Sequence, residues 1–275
     1  MIRFADLHIH THFSDGTYSP ERLVEEAIGA DLSCIAITDH DNISGIAPAI
    51  RAAGGRLEVL SGIEMTAERD GVEVHVLGYL IDDTHKPFLA MLKKMQDVRV
   101  RRIHEMCRKL QNLHMPVDPQ EIFNLAEPGS VGRLHVARVL VNKGYVATTG
   151  EAFVRFIGDK GPAYVAKFKM TPKEAILWIR RVGGIPVLAH PYLLPSNLVI
   201  EDFVKDGIMG IEAYYSEHTE SQRNEFEKMA DKFGLLVTGG SDCHGEAKSE
   251  AKIGRVHLPY VYVEKLKEAK CRLMS

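Results

Sequence analysis

The chain has 275 residues, 45% of them hydrophobic and 26% charged, enough to bury the core of one large or two medium globular domains without disulfide staples. Its 34 basic and 37 acidic side chains leave a formal charge of -3, so no global field gathers nucleic acid or an anionic membrane, and any anionic substrate must be attracted locally. Cys34, Cys107, Cys243 and Cys271 form no CxxC pair, the opening MIRFADLHIH has no cationic stretch followed by an apolar run, and no segment reaches the ~20 apolar residues of a membrane span, so a cytoplasmic, reducing compartment is expected.

Short apolar runs alternate with helical stretches, as in a parallel sheet or barrel. In the first run, 2–10, strand alternation sets His8 and His10 on one face, where two imidazoles can grip one cation. Ser19-Pro20 then places a cap residue and a proline at the start of a helix. The second run, 34–40, ends in Thr38-Asp39-His40-Asp41; the third, 57–64, ends in Gly62-Ile63-Glu64; the fourth, 72–80, carries His75. From 87 to 161 the strand rhythm stops and the sequence reads as helices, an inserted subdomain between barrel segments 1–86 and 162–275. Its first helix carries Lys93, Lys94, Arg99, Arg101, Arg102 and Lys109. Asp97 and Glu105 interrupt them and no aromatics interleave, which predicts a solvated face rather than a nucleic-acid surface. Thr171-Pro172-Lys173-Glu174 opens a further helix and Gly183-Gly184 stops it. The fifth run, 185–190, ends in His190, the sixth spans 208–214, and the seventh, 235–242, leads into Ser241-Asp242-Cys243-His244.

Six of the seven runs thus deliver a His, Asp or Glu at or near the C-terminal end, where barrel enzymes assemble active sites. A single HxH would be an ordinary pair of core or surface histidines; repetition at strand ends is what argues for a site. Imidazole with carboxylate suits Mn, Fe or Zn. His8, His10, Asp15, His40, Glu64, His75, His190, Asp242 and His244 are nine candidate ligands, too many for one ion and enough for two or three, with Glu64 placed to bridge. Such a cluster activates water for in-line displacement at phosphorus and needs no Ser or Cys nucleophile. Glu64 and Asp242 count as catalytic as well as ligating. His218, after the sixth run, could hydrogen-bond a substrate or leaving-group oxygen, or be an ordinary loop histidine. Arg133 opens a helix after Gly132, where a guanidinium and a helix N-terminus can both meet a phosphate, or it is simply exposed. His135 is a weaker substrate-binding candidate, because a core or helix-surface histidine is the usual explanation. Asp39 and Asp41 read as hydrogen-bond or capping partners of a ligating histidine, and Cys243 as packing.

DLHIHTHFSDG at 6–16, TDHD at 38–41, GIE at 62–64, EVHVLGY around His75, AHP at 189–191 and GSDCH at 240–244 resemble the motifs of the polymerase and histidinol phosphatase (PHP) superfamily, over the whole chain. The resemblance implies an α/β fold, a distorted seven-stranded (β/α) barrel with a helical cap. It implies one metal on His8, His10, Glu64 and Asp242, a second on Glu64, His75 and His190, and a third on Asp15, His40 and His244. Manganese is the leading metal, with iron or zinc as alternatives. GRLHVA at 132–137 and YYSEHT at 214–219 are similar to the branch of stand-alone phosphoesterases that act on 3′,5′-nucleoside bisphosphates or trim 5′-phosphorylated short RNA. Leu134 departs from that branch, where proline is expected. The likeness tips Arg133 toward phosphate binding and makes a nucleotide or short oligonucleotide the expected partner, with no membrane and no long duplex nucleic acid. The rivals are histidinol-phosphate hydrolysis, a metallo-amidohydrolase on a similar barrel, which would more often carry a bridging lysine, and a non-enzymatic PHP module, which should lack ligands.

Overall fold

Every predicted apolar run of this computed structural model becomes a strand, and the strands join in one sheet. The structure describes residues 3–126, 129–165, 170–195, 199–248 and 250–274; Ile2, first in the predicted opening run, lies outside them. The strands are β1 (Phe4–Ile9), β2 (Cys34–Ile37), β3 (Glu58–Arg69), β4 (Val72–Tyr79), β5 (Ile185–Leu188), β6 (Gly210–Tyr215), β7 (Leu236–Gly240) and β8 (Leu258–Pro259), in the order β7-β6-β5-β4-β3-β2-β1-β8. Between them lie helices α1 (Pro20–Gly29), α2 (Ile46–Ala53), α3 (Lys86–Asn112), α4 (Pro119–Ala126), α5 (Arg133–Asn142), α6 (Thr149–Ala152), α7 (Pro172–Arg181), α8 (Ile200–Asp206), α9 (Glu220–Phe233) and α10 (Val261–Met274).

The sheet curls until the tips of β1 and β7 meet. The Asp242 N–H donates to the His8 carbonyl at 2.8 Å, and the His10 N–H donates to the Cys243 carbonyl at 2.9 Å. Gly240 permits this approach, because a Cβ there would lie 2.3 Å from the His8 nitrogen. The result is a nearly closed barrel that brings ligands from both ends of the chain to one mouth.

Two expectations need correction. Among the described residues there are eight strands rather than seven: β8 is a two-residue strand that pairs antiparallel with Phe4 and Ala5, too short to leave a pattern in the sequence. The sheet is also not all parallel, since β4 runs antiparallel to both β3 and β5. His75 therefore reaches the mouth from the first half of β4 and not from its C-terminal end. A tight turn reverses the chain, with Asp70 at φ 54 and Gly71 at φ 80, the two left-handed residues that a type I′ hairpin requires.

Helix α3 ties the inserted helices to the barrel. Its first turns bury Phe88, Leu92 and Met95 in the barrel core, whereas Ile103, Met106, Cys107 and Leu110 join a separate core formed with α4, α5 and the segment to Ala163. Between those halves, Arg99 and Arg102 turn inward, which corrects the solvated-face expectation for these two residues; Arg101 and Arg108 remain exposed. Among the described residues, no helix is long and apolar enough to cross a membrane.

Candidate metal centre

All nine expected ligands converge at the barrel mouth. Glu64, buried where β3 passes His40, is the hub. Its Oε2 faces three imidazoles, His8 Nε2 at 3.3 Å, His10 Nε2 at 3.2 Å and His40 Nδ1 at 3.1 Å. Its Oε1 faces two others, His75 Nδ1 at 2.9 Å and His190 Nε2 at 3.2 Å. One carboxylate thus divides five histidines between its two oxygens. Asp242 Oδ1 lies 3.1 Å from His10 Nε2 and 3.5 Å from His8 Nε2. Asp15 Oδ1 lies 3.2 Å from His244 Nε2, and its Oδ2 lies 3.8 Å from His40 Nε2. Ligand atoms group as His8, His10 and Asp242; as His40, Glu64 and His75; and as His10, Asp15, His40 and His244. These groups differ from the implied division in that His40 stands in place of His190 beside Glu64 and His75, and His10 and His40 face two groups each.

The chemistry of these atoms fits divalent metal. His8 Nε2, His10 Nε2, His40 Nδ1 and Asp15 Oδ1 are buried yet make no hydrogen bond, although each points into the cluster. Orphaned buried nitrogens and oxygens are costly unless something coordinates them. Protons take up the charge in the metal-free protein. Burial drives the His10 imidazole toward neutrality, but Asp242 and Glu64 outweigh it and hold its pKa at about 10. For His75, burial is likewise outweighed by Glu64 and Glu73, giving about 9. His40 goes the other way, down to about 3, because burial dominates the pull of Glu64 and Asp15. Burial opposes ionisation of Glu64 as well, yet the surrounding histidines, His40 and His75 foremost, keep its pKa well below the usual range.

The PHP domain family matches residues 6–127. A 5′-3′ exoribonuclease of Haemophilus influenzae is 34% identical over 250 residues, 89% of this chain and 91% of the relative. A 3′,5′-nucleoside bisphosphate phosphatase of Chromobacterium violaceum is 29% identical over 277 residues, 98% of this chain and 97% of the relative. A crystal structure described as a metal-dependent phosphoesterase from Bifidobacterium adolescentis superposes with a TM-score of 0.88 at 30% identity, covering 96% of this chain and 95% of that one. The chain belongs to the PHP family. It is a hydrolase, a metal-dependent phosphoesterase.

Around the ligands, this PHP enzyme places residues that the sequence did not single out. Glu212 in β6, fully buried, accepts from His8 Nδ1 at 2.9 Å and from the His190 backbone N–H at 2.7 Å, so one carboxylate orients ligands of two strands. Asp6 accepts from the Ser241 N–H at 2.8 Å and fixes the approach to Asp242; burial pushes its pKa up to about 6 against these hydrogen bonds. Glu73 accepts from His75 Nε2 at 2.7 Å. Asp39 and Asp41 do not partner a ligand histidine. Asp39 takes the Thr11 N–H and the Thr11 and Ser14 hydroxyls, which shapes the loop carrying Asp15, and Asp41 pairs with Arg99. Arg99 also bonds Thr66 Oγ1 at 3.0 Å, so α3 is tied both to the segment after His40 and to β3. Cys243 is buried in the barrel core.

The substrate-binding candidates have less direct placements. Arg133 opens α5 and donates to Glu73 at 2.5 Å and to Asp159 at 2.6 Å, linking the insertion to His75 through Glu73. His135 is 1% exposed and its Nδ1 accepts the Gly132 N–H at 3.1 Å, so it caps the helix that presents Arg133. His218 donates from Nδ1 to the Ala213 carbonyl at 2.8 Å and packs among Tyr192, Tyr215 and Phe226. With Nδ1–H spent on that carbonyl and burial lowering its pKa, His218 keeps Nε2 as a buried hydrogen-bond acceptor.

Proposed function

We propose that this phosphoesterase hydrolyses phosphate esters of nucleotides, either 3′,5′-nucleoside bisphosphates or 5′-phosphorylated short oligonucleotides, with two or three divalent ions on its nine ligands and manganese first among them. The observation that carries this reading is Glu64, which offers one oxygen to His8, His10 and His40 and the other to His75 and His190. A carboxylate so placed would hold the ions together with the histidines on either side of it. Bound ions would supply Lewis acidity, easing deprotonation of the attacking water and taking up charge on the phosphoryl oxygens. The chain's own part is orientation: Glu212 fixes His8, Glu73 fixes His75, and the loop held by Asp39 carries Asp15 to the mouth. The amidohydrolase alternative finds no bridging lysine here, because the hub position is a glutamate.

Arg133 is our candidate for the non-reacting phosphate. Of its two carboxylate partners, Asp159 is the more exposed, and a phosphate could replace it while Glu73 keeps the guanidinium aimed. All four cysteines are free, in keeping with the cytosol, where we place the enzyme. The test is turnover by manganese-loaded protein on a nucleoside bisphosphate, 5′-phosphorylated short RNA, histidinol phosphate and an amide and lactone panel. Preference for histidinol phosphate or for an amide would sink the nucleotide reading. In the same assay, Arg133→Ala should raise KM for the bisphosphate by ~10- to 100-fold, the worth of a charge-assisted hydrogen bond, and leave a small aryl phosphate nearly unaffected. Equal loss on both would move Arg133 to the reacting phosphate.

A further inference from the structure

The two oxygens of Asp242 have different surroundings. Oδ1 looks into the cluster, toward His10 Nε2 at 3.1 Å and His8 Nε2 and His244 Nδ1, each at 3.5 Å. Oδ2 looks away and is held by two donors, the Tyr215 hydroxyl at 2.8 Å and Lys248 Nζ at 2.9 Å. Those donors are themselves fixed. Lys248 Nζ bonds the Tyr215 oxygen at 3.1 Å and Glu217 at 3.0 Å, so its three hydrogens have three acceptors, and Glu217 is bonded in turn by the Tyr192 hydroxyl. The backbone is fixed as well: Asp242 sits at φ 55, uncommon for a residue with a side chain, and its N–H is tied to His8.

We propose that Tyr215 and Lys248 are positioning residues that hold Asp242 Oδ2 out of the cluster, so that this ligand offers the metals Oδ1 alone and leaves room beside it for substrate or water. The proposal rests on Asp242 being a ligand, as read above. Lys248 is not a substrate-binding cation on this geometry, since all three of its N–H bonds are spent within the protein. A carboxylate freed from these donors can swing, and it can also offer both oxygens to one ion. Partners of this outer kind are typically worth 10- to 100-fold in metal affinity or activity.

The test uses the full-length protein stripped of metal and titrated with Mn2+, with free ion followed by electron paramagnetic resonance, alongside melting curves of the metal-free forms. Tyr215→Phe deletes one oxygen and no charge. It is expected to weaken one Mn2+ of the set by ~10-fold or more and to lower kcat with KM little changed, while the metal-free protein melts as wild type does. Lys248→Met also removes a positive charge beside the ions, which by itself favours metal; its affinity should fall less than that of Tyr215→Phe while its kcat falls as much, and Lys248→Arg should restore part of the kcat. Wild-type affinity and kcat in Tyr215→Phe would overturn the proposal, as would a loss confined to the melting temperature. If wild-type protein itself takes up no metal, the functional reading fails first, and the two failures are told apart by that control.

Discussion

At the scale of single residues, Glu64 matters most because its two oxygens face five of the clustered histidines. Glu64→Gln keeps the shape but removes the charge, and an amide nitrogen would then face imidazoles that need an acceptor or an ion. We expect turnover to fall by roughly 100-fold or more, with fewer ions retained per chain on metal analysis. Near-normal activity would refute the bridging role. Most of the clustered residues were legible in the sequence because their types recur at strand tips, where apolar runs give way to His, Asp or Glu. Glu212 was not, because it lies within the run Ile211-Glu212-Ala213 and not at its end. A signal did exist: an acid flanked by fully buried residues must have partners, and buried glutamates are rare unless paired. Asp6, between Ala5 and Leu7, carried the same signal. Tyr215 and Lys248 left none, since neither residue type points to a carboxylate 27 or six positions away.

Among the elements, strand positions could be read but strand direction could not. Periodicity is blind to polarity, and only the Asp70-Gly71 pair between two apolar runs marked a hairpin and so the reversal of β4. That reversal has a functional effect, placing His75 opposite Thr66, two residues beyond Glu64. The start of α5 was legible as a helix start, but not the burial of its third residue. Burial pushes His135 down to about 4, and the Gly132 N–H needs its Nδ1 as an acceptor. The folded pKa lies below the ~6.5 of an unfolded histidine, so the unfolded chain takes a proton that the native state refuses. Stability from this residue is therefore complete above pH ~6.5 and is lost as pH falls from there toward 4. Gln at the same position would keep an acceptor for the capping box without titrating. In urea unfolding of metal-free protein at pH 7 and pH 4.5, His135→Gln should lose less stability than wild type, by on the order of 2–3 kcal/mol. The carboxylates of the metal site titrate in both proteins and cancel in the comparison. An equal acid loss in both would mean that His135 is not the group responsible.

For the molecule as a whole, closure of the barrel and binding of metal are one problem. Ligands run from His8 to His244, and the sheet closes through the same backbone, where His8 and His10 meet Asp242 and Cys243. Ions at the mouth would cross-link the first strand to the last, and any ligand that binds only the folded chain stabilises it by mass action. The alternation of runs and helices made the barrel readable, whereas its closure depends on register and on Gly240, which no local pattern encodes. In the metal-free protein the mouth is held instead by protons on His8, His10 and His75. Burial opposes these protons, but Glu212, Glu64 and Asp242 outweigh it at His8, and the carboxylates already named do so at His10 and His75, where the values are about 10 and about 9. These folded values lie above the unfolded ~6.5, so the stability they contribute is complete below pH ~6.5 and drains away as pH rises toward 9–10. Metal needs the same nitrogens deprotonated, so its affinity must rise over the window in which proton-based stability falls. Metal-free protein should therefore melt at progressively lower temperature from pH 7 to pH 9, while the increase in melting temperature on adding Mn2+ grows. Calorimetric titration at pH 7.5 in two buffers of different ionisation enthalpy should show protons released on binding, with two or three Mn2+ taken up per chain. Binding heats that do not depend on the buffer, or a metal-induced stabilisation that shrinks as pH rises, would mean that the imidazoles do not hold the charge that the metals replace.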